Sequence, residues 1–571
     1  MHGLTVIDFF CGAGGFSEGF RQKKFKIIKG YDNWQPAINT YNHNFGTDSK
    51  VKNILDFKNK IDEIENLPET DVIIGSPPCV SFSSSNKSGK ADKSLGLELI
   101  KCFLRIVAVK KHQKNSILKA WFMENVANSK KYLEEYYTFE DLNLTEWANE
   151  NYLNPKSEAL RLLENTTIIN SADYGSYQAR KRAVSGEIIF KRSFITPKKT
   201  HTNKAIEKFK QWHNLNALLS KMPKPNTQNK HDLVVDPIYP SIKLNSQDLT
   251  DHFYDSGLYK SEWKQARELK INHYCMGKMS YPENLDKPSR TITATKSGTS
   301  REALVYRSEY NRKGDGEYRT PTIREAASIM GFPFTHQFLG SINSKWRLVG
   351  NAVCPSVSRA LASEVLTQLE IKHSNRLKLI KKSNIENVNN LNTFKERNFD
   401  KQPKRNRNSR FRRHPLKEGN MTVTLSNYDI ENNTKTLDYW FTSIQYGTGV
   451  NFKNQKVEDD YYKIIEPTIA KLKEGKKYIK IINNGFTDKI GSSEELQKYY
   501  ELQVSNGSTL EPTELVEEVN KIINQITFEQ IDFEQNEEVI FKYKRKVPLK
   551  QLFALYAINK ISSIANKKNY E

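Results

Sequence analysis

The chain has 571 residues, 88 of them Lys or Arg and 66 Asp or Glu, for a formal net charge of +22; that length exceeds one ordinary core and implies about two to four domains. A hydrophobic content of 37% with 11% aromatic residues excludes global disorder, and five scattered Cys exclude a disulfide scaffold and fit a reducing, cytoplasmic setting. No apolar run of about eighteen residues exists, which argues against a membrane helix; the first residues lack a signal-peptide pattern, and the excess positive charge points to a polyanion, most commonly nucleic acid.

In chain order, Leu4–Phe10 reads as a strand running into Gly12-Ala13-Gly14-Gly15, Phe25–Gly30 as a second, and Asp71–Gly75 as a third, stopped by Pro77-Pro78. Trp121–Met123, Thr167–Asn170 and Glu187–Phe190 read as further strands, while Gln35–Asn44 and Leu95–Lys111 carry helical spacing of apolar residues. Strands alternating with helices predict crossover units and a parallel, doubly wound α/β sheet, with ligands beyond the carboxyl ends of its strands. Residues 193 to about 285 are polar and lack this rhythm. It returns in two amphipathic helices, Thr322–Met330 and Pro355–Ile371. Asn-rich Asn384–Asn398 and the basic run Lys401–Lys417, which holds no acidic residue, predict a linker able to touch phosphate. From Glu418 onward the net charge is −3, leaving +25 on residues 1–417. That tail carries Leu437–Phe441, a helical Tyr461–Glu474 and a helical Leu549–Lys560, and is expected to fold.

Chemistry concentrates at the expected strand ends. The Gly-rich turn after the first strand lets backbone approach an anionic group at a helix N-terminus, and it lacks the Gly-Lys-[Ser/Thr] ending of a Walker loop. Tyr31-Asp32-Asn33-Trp34 follows the second strand, where a polar or acidic group usually holds a ribose and Trp34 can stack on a purine. A nucleoside with an anionic end is the expected guest. Pro77-Pro78 fixes a turn that projects Cys79 toward the same crevice, and a thiolate there is suited to covalent addition. Enzymes that methylate exocyclic amines carry an aromatic residue at this point, so Cys79 indicates a ring carbon activated by addition.

The sequence resembles the DNA cytosine carbon-5 methyltransferases. The resemblance rests on Asp8–Gly15, Pro77-Pro78-Cys79, Met123-Glu124-Asn125-Val126, Gln178-Ala179-Arg180-Lys181-Arg182, Arg324-Glu325-Ala326-Ala327 with Gly331-Phe332-Pro333, and Gly350-Asn351-Ala352-Val353, all in family order. It implies a Rossmann-like S-adenosylmethionine-dependent methyltransferase domain with a small target-recognition domain, and leaves residues beyond about 375 unaccounted for; from composition these are expected as a linker and a C-terminal α+β extension. The expected boundaries are 1–192 and 286–375 for the catalytic core, 193–285 for recognition, 376–417 for the linker and 418–571 for the extension. By resemblance Cys79 adds to cytosine C6, Glu124 protonates N3, Arg182 meets O2, and Arg180 supports the site. Phe10 and Trp34 would flank adenine, Gly12 and Gly14 would approach the methionine end, and Pro78 and Asn351 would complete the cofactor site. The family's ribose-binding Glu is replaced by Asn33, beside Asp32, so either could hold the ribose; Asn53 and Asp56 are alternatives for the adenine amine. Val80 and Cys354 also depart from the family pattern without removing a catalytic group. Ser83–Lys93 is expected to be a mobile loop closing over DNA.

The target is buried in a duplex, so the base must flip out. The expectation is methylation at carbon 5 of a flipped cytosine in a specific double-stranded sequence, with S-adenosylmethionine, no metal, a monomer on DNA and a cognate restriction endonuclease as partner. An RNA cytosine methyltransferase and a catalytically silent DNA-binding regulator are the alternatives. For the tail, an accessory DNA-binding domain, a protein-interaction domain and a fused endonuclease compete; Asp532, Glu538 and Lys542 are suggestive of the last, without a clean nuclease motif.

Overall fold

Four short apolar strands build the frame of the site: β1 (Thr5–Phe9), β2 (Lys26–Tyr31), β3 (Val72–Gly75) and β4 (Ala120–Val126). They pair in parallel in the order β2-β1-β3-β4 and are joined through α1 (Gly15–Gln22), α2 (Gln35–Phe45) and α3 (Ser94–His112). Side chains alternate across each strand. Val6, Val72, Ile74, Ala120 and Phe122 face one core with Phe16 and Phe20 of α1, whereas Ile7, Ile73, Trp121 and Met123 face a second with Phe103 and Leu104 of α3. Both faces of the sheet are thus covered, as expected of a doubly wound fold.

These statements come from a computed structural model that describes residues 2–78, 94–229, 232–272, 278–294, 300–309, 316–399, 413–418, 421–432, 434–436, 439–446, 453–502, 508–526, 533–534 and 546–569. The chain divides into two units, Met1–Phe399 and Asp400–Glu571.

The sheet is mixed, not wholly parallel. β5 (Thr166–Asn170) and β6 (Lys181–Ile188) extend it as β4-β6-β5, and both new pairings are antiparallel. The cause is connection length. Residues 171–180 hold only the 3-10 turn Ser171–Tyr174, too short for a crossover, which takes about a dozen residues or more. Because β6 runs against β4, its N-terminal residues arrive at the edge where β1, β3 and β4 end.

The region expected as a separate recognition domain is partly built into the catalytic core. Leu215, Leu218, Met222, Leu244, Leu249 and Phe253 pack in one cluster with Ile323 and Phe332. A small cluster of its own, Leu258, Trp263, Ala266 and Val305, forms around α4 (Lys260–Ile271). Short hairpins such as Leu233–Val235 with Lys243–Asn245 place apolar residues singly, which is why no periodicity showed. The catalytic body resumes with α5 (Ile323–Met330), α6 (Ile342–Asn351) and α7 (Pro355–Gln368). Thr322 and Glu325 close a capping box at the start of α5.

Residues 376–399, expected to begin a linker, instead lie along the first unit as an irregular strap. Lys378 N donates to Gln22 O at 2.9 Å, Leu391 N to Asp251 Oδ1 at 3.1 Å and Arg397 N to Asp255 Oδ2 at 2.9 Å. Leu377 and Leu391 pack on the core, and Val388 and Phe399 are buried. Single apolar anchors among Asn and Lys carry no helical or strand period, so sequence could not show this docking. The other end of the expected linker is also ordered, because Arg413–Lys417 belong to a strand.

The second unit has its own sheet and core. β7 (Arg413–Glu418), β8 (Met421–Ser426), β9 (Phe441–Tyr446) and β10 (Lys453–Val457) form an antiparallel sheet in that order. Leu425, Trp440 and Ile444 pack with α8 (Tyr461–Ala470), α9 (Pro512–Gln525) and the long α10 (Leu549–Lys567). This agrees with an α+β extension. Asp532, Glu538 and Lys542 lie outside the described residues. Among the described residues, no helix is long and apolar enough to cross a membrane.

Candidate active site

The carboxyl ends of β1, β2, β3 and β4, the start of β6, residues 288–294 and the end of α6 surround a cleft of about 1100 Å³. At its floor β1 breaks into the Gly-rich turn. Phe10 leaves the strand with φ +56, an unusual conformation for an aromatic residue, and lines the cleft with Gly12. Gly12 has φ +52, and a Cβ there would meet nothing closer than 4.0 Å, so its bare backbone faces open space. Gly14 does not line the cleft. Its φ is +80 and a Cβ would strike the Phe45 ring at 2.2 Å, so this glycine serves the packing of the turn.

Asp32 holds two loops together. Its Oδ2 accepts from Gly12 N at 3.0 Å and its Oδ1 from Trp34 N at 2.9 Å. Burial raises its pKa, opposed by those N–H groups. Asn33 beside it is exposed and lines the cleft, as do Trp34 and Asn53. Asn53 also caps the 3-10 turn Ile54–Lys58 through Leu55 N at 3.1 Å. Asp56 pairs with Lys52 at 3.5 Å and does not line the cleft. Asp8 is buried beneath the turn. Its Oδ2 accepts from Ser17 Oγ at 2.7 Å, its Oδ1 has no hydrogen-bond partner among the described residues, and burial pushes its pKa up to about 8.

The opposite wall carries the charged pair. Glu124 and Arg182 lie on adjacent antiparallel strands, where Val126 opposes Arg182 and Glu124 opposes Val184. This diagonal sets Arg182 Nε 3.0 Å from Glu124 Oε1. Ser76 Oγ donates to Glu124 Oε2 at 3.0 Å, so both carboxylate oxygens are engaged on one side. Asn125 Nδ2 donates to Pro77 O at 3.3 Å and ties the Pro-Pro turn to β4. Pro78 is exposed at the cleft. Cys79 lies outside the described residues, as does the expected mobile loop Ser83–Lys93. Arg180 is buried and structural in its contacts, donating to Ile292 O at 3.1 Å and Gly350 O at 3.2 Å, which fastens three wall segments. Asn351, at the end of α6, is exposed on the lining.

Arg324 and Glu325, which carried part of the sequence resemblance, are buried braces. Arg324 binds Thr250 O, Thr250 Oγ1 and His336 O, and Glu325 pairs with Arg319 at 2.7 Å. Neither Ser76 nor Asn125 was given a role from sequence, although Asn125 belongs to the Glu-Asn-Val motif and Ser76 precedes the Pro-Pro turn. Arg347, also on the lining, had no motif to mark it.

A glycine turn beneath two cleft-lining aromatics, facing an acid–arginine pair, defines a nucleoside-binding enzyme of the Rossmann-like methyltransferase class. Residues 4–367 match the C-5 cytosine-specific DNA methylase family, and the chain belongs to it. It is 28% identical over 377 residues to the type II methyltransferase M.AplI of Arthrospira platensis, covering 65% of this chain and 88% of that one. It is likewise 28% identical over 375 residues to the type II methyltransferase M1.HphI of Haemophilus parahaemolyticus, covering 64% and 87%. Among solved structures, the Entamoeba histolytica methyltransferase EhMeth aligns with 65% of this chain and 99% of that one at 15% identity and a TM-score of 0.37. The family's members are S-adenosylmethionine-dependent DNA (cytosine-5-)-methyltransferases, and DNA is the substrate its name implies.

Proposed function

We propose that the chain methylates carbon 5 of a flipped-out cytosine in a specific duplex sequence through a covalent Cys79 adduct, as the modification partner of a restriction endonuclease. The observation that carries this reading is the Glu124–Arg182 pair, 3.0 Å apart on the cleft that the Gly-rich turn also lines.

The residues present fit S-adenosylmethionine. The side chains of Phe10 and Trp34 offer aromatic faces, Asn33 and Asn53 offer amides, and Gly12 leaves room beside the turn. Asn33 is the better ribose candidate, because both Asp32 oxygens are already committed to backbone. Asn53 is the better adenine-amine candidate, because Asp56 is off the cleft. Bound there, the cofactor supplies an electrophilic methyl group on a sulfonium.

Cytosine C5 is too weak a nucleophile on its own. The Cys79 thiolate adds to C6, and Glu124 gives a proton to N3 so that the ring electrons move toward C5. Arg182 pairs with Glu124 and, on this reading, meets O2. As C5 takes the methyl group, the sulfonium is left as the neutral thioether of S-adenosylhomocysteine; C5 then gives its proton to a base, N3 returns its proton to Glu124, and the C6–S bond breaks to release the Cys79 thiolate and 5-methylcytosine.

A duplex carrying 5-fluorocytosine at the target cannot lose that proton and should trap the wild-type chain covalently. Cys79→Ala should give no trapped species; equal trapping by that variant would overturn the assignment. Bisulfite sequencing of host DNA expressing the chain supplies the target sequence for the duplex.

A further inference from the structure

The cleft contains a cation–aromatic stack that the chemistry above does not use. Arg347, on α6, sets its guanidinium carbon 4.5 Å from the centroid of the Trp34 ring, and both residues line the cleft. Arg347 is exposed, so this stack is not a by-product of core packing. Its helix is fixed immediately before that residue: Lys345 pairs with Asp251 at 2.8 Å and Trp346 Nε1 donates to Thr293 O at 3.0 Å. The guanidinium also acts favourably on the Asp32 carboxylate, which holds the Trp34 backbone.

The need for such a brace follows from the neighbouring residue. Asn33 brings an amide, not a carboxylate, to the ribose position, so a charge-assisted anchor is missing there. Purine binding must then lean on the indole. A guanidinium stacked on one face holds the ring at its angle and leaves the other face for the base, which lowers the ordering cost on binding.

We propose that Arg347 is a positioning residue for the cofactor's adenosine, holding Trp34 ready for the purine and compensating for Asn33. The inference rests on the cofactor reading of the cleft. Calorimetric Kd values for S-adenosylhomocysteine on the full chain test it, with wild type, Arg347→Ala, Arg347→Lys and Trp34→Ala compared. Arg347→Ala should weaken binding about three- to ten-fold, the range of an exposed to partly desolvated cation–π contact. Arg347→Lys should recover part of the loss, with thermal unfolding close to wild type for both. Wild-type affinity in Arg347→Ala beside weakened binding in Trp34→Ala overturns the positioning role alone. Unchanged affinity in Trp34→Ala overturns the reading of the cleft itself. A lowered Tm in Arg347→Ala with no recovery in Arg347→Lys makes the residue structural and also overturns the proposal.

Discussion

At the scale of single residues, the site separates groups whose charge is satisfied from one whose charge is not. Glu124 has Arg182 and Ser76, and Asp32 has two backbone N–H groups. Asp8 is buried, and although the Ser17 hydroxyl and backbone N–H oppose it, burial raises its pKa to about 8, with nearby Asp32 adding to the effect. In the unfolded chain the same carboxyl ionises near pH 4. Between those values the folded state keeps a proton that the unfolded state has lost, so this group makes stability fall as pH rises, by at most about 1.4 kcal/mol per pH unit. Below pH 4 both states are protonated and the effect vanishes. Asp8→Asn keeps an acceptor for Ser17 but cannot ionise. Its Tm relative to wild type should therefore climb from pH 5 to pH 8, and a pH-independent difference would refute the buried-proton account.

At the scale of elements, one contact decides how the Gly-rich turn is held. α1 packs across α7, and Gly19 marks the crossing: a Cβ there would lie 2.0 Å from Ser358 Oγ and 2.3 Å from Arg359 N. Replacing a mid-helix Gly by Ala ordinarily gains about 1 kcal/mol from helix propensity. Overpacking against backbone costs about 1–3 kcal/mol, and here it should win, so Gly19→Ala is expected to lower Tm by several degrees. A raised Tm would show that the helices separate freely. This crossing also shows the limit of what could be read from sequence. The strands β1 to β3 were legible because their apolar runs end at Gly or Pro, and β4 from its compact apolar start; Phe10, Gly12 and Trp34 were legible because each follows such a strand, whereas Glu124 and Arg182 were legible through the family motifs that hold them. Strand direction at β5 and β6 was not, since direction depends on the ten-residue connection and not on strand composition. Nor were Gly14 and Asp56 separable from their cleft-lining neighbours, because a turn glycine and an exposed acid look alike in sequence whichever way they face. Arg347 was invisible for a simpler reason. Its partner Trp34 lies more than three hundred positions away in the chain.

At the scale of the whole molecule, charge and packing give different boundaries, and the difference can be tested. The positive charge ends near Lys417, but the first unit's packing ends at Phe399, and the strap before it fills that unit's surface with Val388, Leu391 and Phe399. A chain ending at 375 exposes the surface those residues cover and removes the Leu391 N donor from an Asp251 oxygen that then keeps only Lys345 of the two. It is expected to lose stability by about 2–5 kcal/mol, the range for removing large core side chains. A chain ending at 399 keeps every one of these contacts, and a chain ending at 412 adds the basic run containing Lys401, Lys404, Arg405, Arg407, Arg410 and Arg412. Both should unfold cooperatively and methylate duplex DNA, because the cleft and its cores belong to the first unit. If the run contacts phosphate, the logarithm of DNA affinity against the logarithm of salt should be steeper for the 412 chain, by about 0.9 for each phosphate neutralised. Equal slopes would confine DNA contact to the folded unit. Equal stability of the 375 and 399 chains would return residues 376–399 to the role of a linker.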